Sequence, residues 1–226
     1  MGFNYDHTIF GQQSTMMINR LHARHAMLVD AYRHVVADAS VLQLGAEDGR
    51  WAYSFAAAGA LQVVGVEKCR ELVERFSRYP DVGLRERIEM RNADYLEELQ
   101  AEVRTNRRHD IVAMFDALDD QPDLFHMIDL VHSLEPRLVI ADGVFAVTSE
   151  PVISFNKPTV LGGGGSTHLI PSKGALEMVA DEVGFEIDWL DWTTIPEDSR
   201  MGLKDYFQDG PVRRCSAILM PSGHLL

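Results

Sequence analysis

The feature of this sequence that most constrains its fold is a regular alternation of short apolar runs with helix-like stretches after Asp38. The apolar runs are strand candidates: VLQLG at 41–45, LQVVGVE at 61–67, IEMRN at 88–92, DIVAMFD at 110–116 and RLVIAD at 137–142. The stretches between them have helical patterns and the length that a right-handed crossover needs, and they lie at 49–58, 69–79, 94–106 and 122–134. The alternation predicts a doubly wound α/β fold whose mostly parallel sheet is covered by helices on both faces.

Further segments flank this alternation on both sides. A helical pattern runs through STMMINRLHARHAMLVDAYRHVV before the first strand candidate, with Ser14 or Thr15 as its cap. After the fifth strand candidate, residues 143–170 form a connection far longer than usual, which is typical of a functional or disordered loop. Pro171 and Ser172 then open a helix, KGALEMVADEVG, which is followed by the strand candidates FEIDWLDW and CSAILM.

The composition limits the partners and surroundings of the chain. Of its 226 residues, 46% are hydrophobic and 24% charged, which is typical of a globular protein. No stretch approaches the ~18 apolar residues of a membrane span, and the first residues lack signal-peptide features. We therefore expect a cytoplasmic protein with no membrane partner. The net charge of −13 repels phosphate backbones and disfavours nucleic acid. Cys69 and Cys215 are expected to be free thiols, and a homodimer remains open.

The segment after the first strand candidate is the first part of a predicted ligand site, because open α/β sheets bind ligands outside the carboxyl ends of their strands. Residues 45–49, GAEDG, contain glycines that permit a tight turn and a close approach of the backbone to a ligand. A dinucleotide fingerprint G-x-G-x-x-G would need glycines at the positions of Glu47 and Arg50. The spacing therefore argues against NAD.

Acidic side chains follow the other strand candidates. Glu67 ends the second, 22 residues after Gly45, where a carboxylate can accept hydrogen bonds from ribose hydroxyls, so the spacing suits an adenosine ligand. Asp94 follows the third strand and can either accept from an adenine amino group or cap the helix that begins at YLEELQ. Asp116 and Asp142 end the fourth and fifth strand candidates.

These segments resemble the motifs of the class I S-adenosylmethionine-dependent methyltransferases. VLQLGAEDG is similar to the first motif, VVGVE to the second, RNADY to the third and AMFDALDD to the fourth. HLIPSKGALEMVADEVGF resembles a stretch shared by small-molecule methyltransferases and the tRNA wobble-uridine carboxymethyl enzymes. The resemblance implies a Rossmann-like methyltransferase domain at 39–226 and strand order 3-2-1-4-5-7-6 with the CSAILM strand antiparallel. We expect the N-terminal helical segment at 1–38 and the 143–170 loop to act as a lid. It also implies S-adenosyl-L-methionine as the cofactor, bound by Gly45, Ala46, Glu47, Gly49, Glu67, Asp94 and Asp116.

Two positions depart from the family pattern. Gln43 stands where the family usually has an acidic residue that helps to hold the methionine ammonium, and Glu47 stands where the middle glycine is expected. Glu47 could itself meet that ammonium. Because degenerate relatives keep a fold and change its chemistry, a binding protein of this fold that does not methylate is the alternative to a methyltransferase.

The resemblance implies methyl transfer to an oxygen or nitrogen of a small molecule, such as a sugar or a natural-product scaffold. His168 is the candidate general base because it follows the glycine run Gly162 to Gly165 in the long connection, although it could equally be a polar loop residue. A further alternative is a metal-dependent O-methyltransferase, since residues 140–144, IADGV, faintly resemble the metal-binding strand end of catechol-type enzymes. Gly143 there replaces an Asn that would supply an oxygen ligand, and no metal ligand is predicted. RNA methylation is opposed by the negative charge.

Overall fold

The structure is a computed structural model that describes residues 14–119, 121–156 and 168–223. Within these ranges, Asn156 and His168 are described by their backbone alone. The strands, numbered in chain order, are β1 (Ser40–Leu44), β2 (Gln62–Glu67), β3 (Ile88–Asn92), β4 (Ile111–Phe115), β5 (Leu138–Ala146), β6 (Ile153–Asn156), β7 (His168–Pro171), β8 (Phe185–Trp189) and β9 (Val212–Pro221). The helices are α1 (Thr15–Leu28), α2 (Arg33–Val36), α3 (Arg50–Ala58), α4 (Arg70–Arg75), α5 (Val82–Arg85), α6 (Tyr95–Arg104), α7 (Leu124–Ser133), α8 (Lys173–Val183) and α9 (Lys204–Phe207). Short 3-10 turns lie at Asp30–Tyr32, Phe76–Arg78, Trp192–Thr194 and Glu197–Ser199.

A seven-stranded sheet forms the centre, with its strands in the order β3-β2-β1-β4-β5-β9-β8. Strands β1 to β5 pair in parallel, whereas β9 is antiparallel to both of its neighbours. Counted within this sheet alone, the order is 3-2-1-4-5-7-6, so the predicted α/β fold with an antiparallel last strand is confirmed. The numbering along the chain differs because β6 and β7 form a separate antiparallel pair that the sequence did not predict.

Serines begin two of the helices at the places that the sequence indicates. Ser14 accepts a hydrogen bond from the Met17 N–H at the start of α1, and Ser172 accepts one from the Ala175 N–H at the start of α8. The predicted N-terminal helix is interrupted after Leu28, where a 3-10 turn precedes α2. The sequence therefore predicts these helix starts correctly but does not predict the break in the first helix.

The connection after β5 is shorter than the sequence predicts, because β5 continues for four residues past Asp142. Strand β9 has ten residues and pairs with β5 as far as Ala146, which satisfies the backbone groups of this extension. Asp142 therefore lies inside a strand, opposite Ser216, and the expectation that it ends the strand is wrong. The remainder of the predicted loop contains β6 and β7, and a bridge from Ala146 to Ser172 connects this segment to β5.

The helix α1 packs into the core of the sheet domain. Its Leu21 and Leu28 are buried in one apolar cluster with Trp51 of α3 and Ile218 of β9, on one face of the sheet. Full burial of a leucine side chain stabilises a fold by roughly 1.5–3 kcal/mol, so these contacts anchor the helix firmly. Movement of residues 1–38 as a lid stays a prediction.

Candidate functional site

Two glycines shape the turn between β1 and α3. Gly45 and Gly49 have φ angles of 73° and 84°, in the left-handed region that favours glycine. A Cβ at Gly45 would lie 1.9 Å from the Phe115 carbonyl oxygen, and one at Gly49 would lie 2.5 Å from the Phe76 ring. The glycine turn is therefore present, but packing against protein atoms is sufficient to require both glycines. Their contact with a cofactor stays a prediction.

Glu67 fastens this turn to the end of β2. Its Oε2 accepts a hydrogen bond from the Glu47 N–H at 2.9 Å, and its Oε1 accepts one from the Cys69 N–H at 2.9 Å. Beside it, the Ala46 N–H donates to the Val66 carbonyl at 3.0 Å. Glu67 is only 7% exposed, yet each carboxylate oxygen has a second lone pair that can accept from a ligand hydroxyl. The residue thus lies at the end of β2, where the sequence places it, and its contact with a ribose stays a prediction.

Carboxylates are concentrated around the same turn. Burial raises the pKa of Glu47, and the nearby charges of Asp48 and Asp116 raise it further. The Arg50 guanidinium opposes this rise, and its Nε lies 3.4 Å from Glu47 Oε2. The Glu47 backbone has a φ of 50°, which is uncommon for a residue other than glycine. A partly buried excess of carboxylates favours a ligand that carries positive charge.

Asp94 performs the structural role that the sequence left open. Its Oδ1 accepts from the N–H groups of Leu96 at 2.9 Å and Glu97 at 3.4 Å, which caps α6. Its Oδ2 lies 3.0 Å from Lys68 Nζ, and this ammonium is 4.4 Å from the centroid of the Tyr95 ring. Burial acts to raise the pKa of Asp94, but the Lys68 charge and the helix N–H groups outweigh it, so the pKa is lowered. A contact with adenine stays a prediction.

Two arginines join Asp116, which follows the last residue of β4, to Asp142, which lies within β5. The Asp116 N–H donates to the Asp142 carbonyl at 2.8 Å, and the Asp116 carboxylate forms a two-contact ion pair with Arg214. Arg214 and Arg24 of α1 each donate to Asp142 Oδ1 at 2.5 Å. We call these four residues the arginine–aspartate cluster. Asp116 lies where the sequence predicts, with its carboxylate engaged by a protein cation.

Asp142 is completely enclosed by its partners. The hydroxyl groups of Tyr206 and Ser216 each donate to its Oδ2 at 2.6 Å. Burial alone would raise the pKa of Asp142, but the charges of Arg24 and Arg214 outweigh burial and lower the pKa to about 2. The carboxylate is therefore charged at neutral pH and holds α1, β5 and β9 together.

Sequence reasoning missed this cluster, although α1 contains a signal for it. Leu21, Arg24 and Leu28 follow the spacing of one helix face, so Arg24 lies on the apolar side of α1. A buried charge at such a position needs a partner. Arg24 meets Asp142, and its guanidinium carbon lies 4.9 Å from the centroid of the Trp51 ring. The charge on the apolar face was thus the informative feature.

The arginine–aspartate cluster does not fit a divalent metal ion. The oxygens of Asp142 accept four hydrogen bonds, two of them from arginines, and Asp116 is ion-paired with Arg214. A cation at this point would meet two guanidinium groups instead of free carboxylates. Within residues 14–119, 121–156 and 168–223, no group of three or more His, Cys, Asp or Glu could hold a metal.

The candidate base His168 is only partly within the described residues. Its backbone begins β7 and pairs with Asn156, but its side chain lies outside the description, as do Gly162 and Gly165. The structure therefore gives its place in the chain without its contacts. Among the helices that the structure describes, none combines the length and the apolar character needed to cross a membrane.

Comparison with known proteins identifies the fold. No protein-family model and no curated protein matches the chain. Among solved structures, the N-terminal domain of EvdMO1, in the presence of SAH and D-fucose, is 16% identical with a TM-score of 0.67, over 97% of this chain and 90% of its own. An S-adenosylmethionine-dependent methyltransferase from Mesorhizobium loti is 15% identical with a TM-score of 0.60, over 88% and 99%. The 4+2 cyclase SpnF is 18% identical with a TM-score of 0.58, over 94% and 84%. The chain therefore has the fold of the S-adenosylmethionine-dependent methyltransferases.

Proposed function

We propose that the protein transfers the methyl group of S-adenosyl-L-methionine to an oxygen or nitrogen of a small molecule, such as a sugar or a natural-product scaffold. The observation that carries this proposal is the Glu67 carboxylate, buried at the end of β2 and fastened to the glycine turn by two N–H groups. A carboxylate in this position can bind both hydroxyls of a ribose. The shared fold with a structure described as a methyltransferase supports the same cofactor.

The residues of the turn fit this cofactor, which supplies a methyl group on a positively charged sulfur. Gln43 is fully buried; its Nε2 donates to the Gly45 carbonyl at 3.1 Å, and its Oε1 has no hydrogen-bond partner among the described residues. An unsatisfied buried acceptor costs about 1–3 kcal/mol, which an ammonium beside it would offset. Glu47 becomes more readily charged when a cation binds nearby. Gln43 and Glu47 are the residues proposed to hold the methionine ammonium.

The acceptor is proposed to lie over the carboxyl ends of β4 and β5. The arginine–aspartate cluster forms a rigid, charged floor there, so it can orient an acceptor and exclude water. His168 is the proposed general base, supported by its position at the start of β7, in the connection that comes after β5 and β6 in the chain. The proposed partner is a small molecule in the cytoplasm, with neither nucleic acid nor membrane involved.

Titration calorimetry with S-adenosylmethionine tests the cofactor assignment. Glu67→Gln should weaken binding by about tenfold or more, because the ribose loses a charged hydrogen-bond acceptor. Glu74→Gln is a matched control, since Glu74 is an exposed residue of α4 paired only with Arg70 among the described residues. Circular dichroism establishes that each variant is folded. Unchanged affinity in a folded Glu67→Gln protein would contradict the assignment.

A binding protein of the same fold that does not methylate is the second candidate. It is favoured by Glu47 in place of the middle glycine and by the similarity of the chain to a protein described as a cyclase. Incubation with labelled S-adenosylmethionine and a panel of small hydroxyl and amine compounds separates the two functions. Release of S-adenosylhomocysteine that depends on an acceptor supports the enzyme, whereas tight binding without turnover across the panel supports the binding protein.

A further inference from the structure

A pocket of about 250 Å³ lies where β9 extends beyond the end of β8. Strand β8 ends at Trp189, opposite Ala217, so the first residues of β9 reach past it. Aromatic and cationic side chains form the walls, chiefly Lys173, Trp189, Trp192, Tyr206, Phe207 and Arg213. Because β8 runs parallel to β5, its last residue lies at the carboxyl edge of the sheet, on the same side as the proposed active site.

Two cations of this pocket have no acidic partner. Neither Lys173 nor Arg213 lies within ion-pairing distance of a carboxylate in the part of the chain that the structure describes. Lys173 Nζ lies 4.2 Å from the centroid of the Trp189 ring, and the nearby Glu177 instead accepts a hydrogen bond from Trp189 Nε1 at 2.7 Å. Lys173 and Arg213 line the pocket together with Cys215 of β9, and burial raises the pKa of the Cys215 thiol while the charges of both cations oppose that rise.

The remaining charges of the pocket do not neutralise these cations. Arg214, which also lines the pocket, is balanced by its contacts with Asp116, Asp142 and Asp205. Asp191 is the carboxylate of the wall, and it caps its own 3-10 turn. Among the lining residues, Lys173 and Arg213 stand against the single carboxylate of Asp191, and the Glu177 carboxylate beside Trp189 adds a second negative charge that is not ion-paired with either cation. Such a site attracts an anion, because charge-assisted hydrogen bonds are strong where water is partly excluded.

The aromatic walls are flat and held in place. Trp192 stacks on Tyr206 with 3.8 Å between ring centroids, and its Nε1 donates to Ser216 at 3.1 Å. Trp189 packs edge-on against Phe145 at 5.1 Å. Trp192 is only 5% exposed and forms the fixed base of the pocket, whereas the partly exposed Trp189 offers a planar apolar group a surface that needs no further ordering.

We propose that this pocket binds the anionic group, a carboxylate or a phosphate, of an acceptor with a flat apolar body. Lys173 and Arg213 would hold the anion, and Trp189 and Trp192 would contact the body. Arg214 connects the pocket to Asp116, so the ligand would lie next to the proposed methyl-transfer site. As a statement about the acceptor, the inference rests on the proposed function.

Tryptophan fluorescence tests the pocket without an activity assay, since two of the three tryptophans of the chain line it. Benzoate and phenyl phosphate are the probes, and benzyl alcohol is the neutral control. At least one anion should give a saturable change and bind about tenfold or more tightly than benzyl alcohol. The stronger of the two anions identifies the preferred headgroup. Equal binding of benzyl alcohol, or no saturable change with either anion, would overturn the proposal.

Charge variants then locate the binding site. The double variant Lys173→Gln/Arg213→Gln should weaken anion binding by about tenfold or more, whereas the charge-preserving Lys173→Arg and the exposed control Lys204→Gln should bind nearly as the wild type does. Wild-type anion affinity in the double variant would overturn the proposal. Calorimetry with S-adenosylmethionine is run in parallel. Cofactor binding without anion binding would overturn the proposed anion site alone. Anion binding without cofactor binding would support the anion site and overturn the proposed methyltransferase function.

Discussion

Asp142→Asn removes the negative charge at the centre of the arginine–aspartate cluster. The pKa of Asp142 falls from an ordinary value of 3.8 to about 2, which corresponds to about 2 kcal/mol of stability at neutral pH. The substitution also removes the carboxylate charge that the buried arginines share, since Asp116 at 4.0 Å is then the only carboxylate paired with Arg24 within the described residues. Removing one partner of a buried ion pair typically costs 3–5 kcal/mol, so we expect a loss of about that size.

Urea unfolding at pH 7, followed by tryptophan fluorescence, measures this loss. Asp30→Asn is the matched control, because Asp30 is partly exposed and pairs with Arg33 and, at 3.4 Å, with His25, so its removal should cost only about 1 kcal/mol. A double-mutant cycle with Arg24→Met should give a coupling energy of at least about 1 kcal/mol. Equal losses in the Asp142 and Asp30 variants, or strict additivity in the cycle, would refute the assigned role of the cluster.

The pH dependence of this contribution has a defined sign. Folding lowers the pKa of Asp142, so its stabilisation is complete above about pH 4 and is lost as the pH falls towards 2. The unfolding free energy of the wild type should therefore fall more steeply than that of Asp142→Asn in this range. Parallel slopes would show that Asp142 is not the charged group.

Three further predictions concern the turn, its acid and a buried cap. Gly45→Ala should destabilise the fold by about 2–5 kcal/mol in thermal unfolding, because its φ is positive and a Cβ would meet the Phe115 carbonyl, whereas Gly83→Ala in α5 should be tolerated. Calorimetry should show S-adenosylmethionine binding more tightly as the pH rises from about 4 to 7, because a bound cation favours the charged form of Glu47; Glu47→Gln should flatten this profile. Ser172→Ala should cost about 1–3 kcal/mol in urea unfolding, since this buried hydroxyl accepts from two N–H groups and donates to a carbonyl.

Much of the fold could be predicted because the relevant signals are local. Strands β1, β2, β4 and β5 are mostly apolar runs, whereas β3 is a mixed one, and the stretches between the strands fix a parallel sheet through their length. The short strands β6 and β7 have no such signal. The extension of β5 past Asp142 depends on the length of β9, and β9 begins 70 residues after Asp142 in the chain.

The candidate site was predictable in position and less so in its contacts. The place of Glu67 follows from the end of β2, but its hydrogen bonds with Glu47 and Cys69 depend on how the turn folds back. Arg24 and Asp142 are 118 residues apart, and no local pattern relates a helix residue to a strand residue at that separation. Long-range ion pairs of this kind come from the packing of the whole domain.

The position of β9 has a consequence for synthesis of the chain. It lies between β5 and β8 in the sheet, although it follows both of them along the chain. On the ribosome, β8 therefore emerges before the strand that must separate it from β5, and the backbone edge of β5 stays open until Val212–Pro221 has been made. An open edge can pair with a strand of another chain. A nascent chain that pauses after β8 therefore leaves this edge open to pairing with another chain.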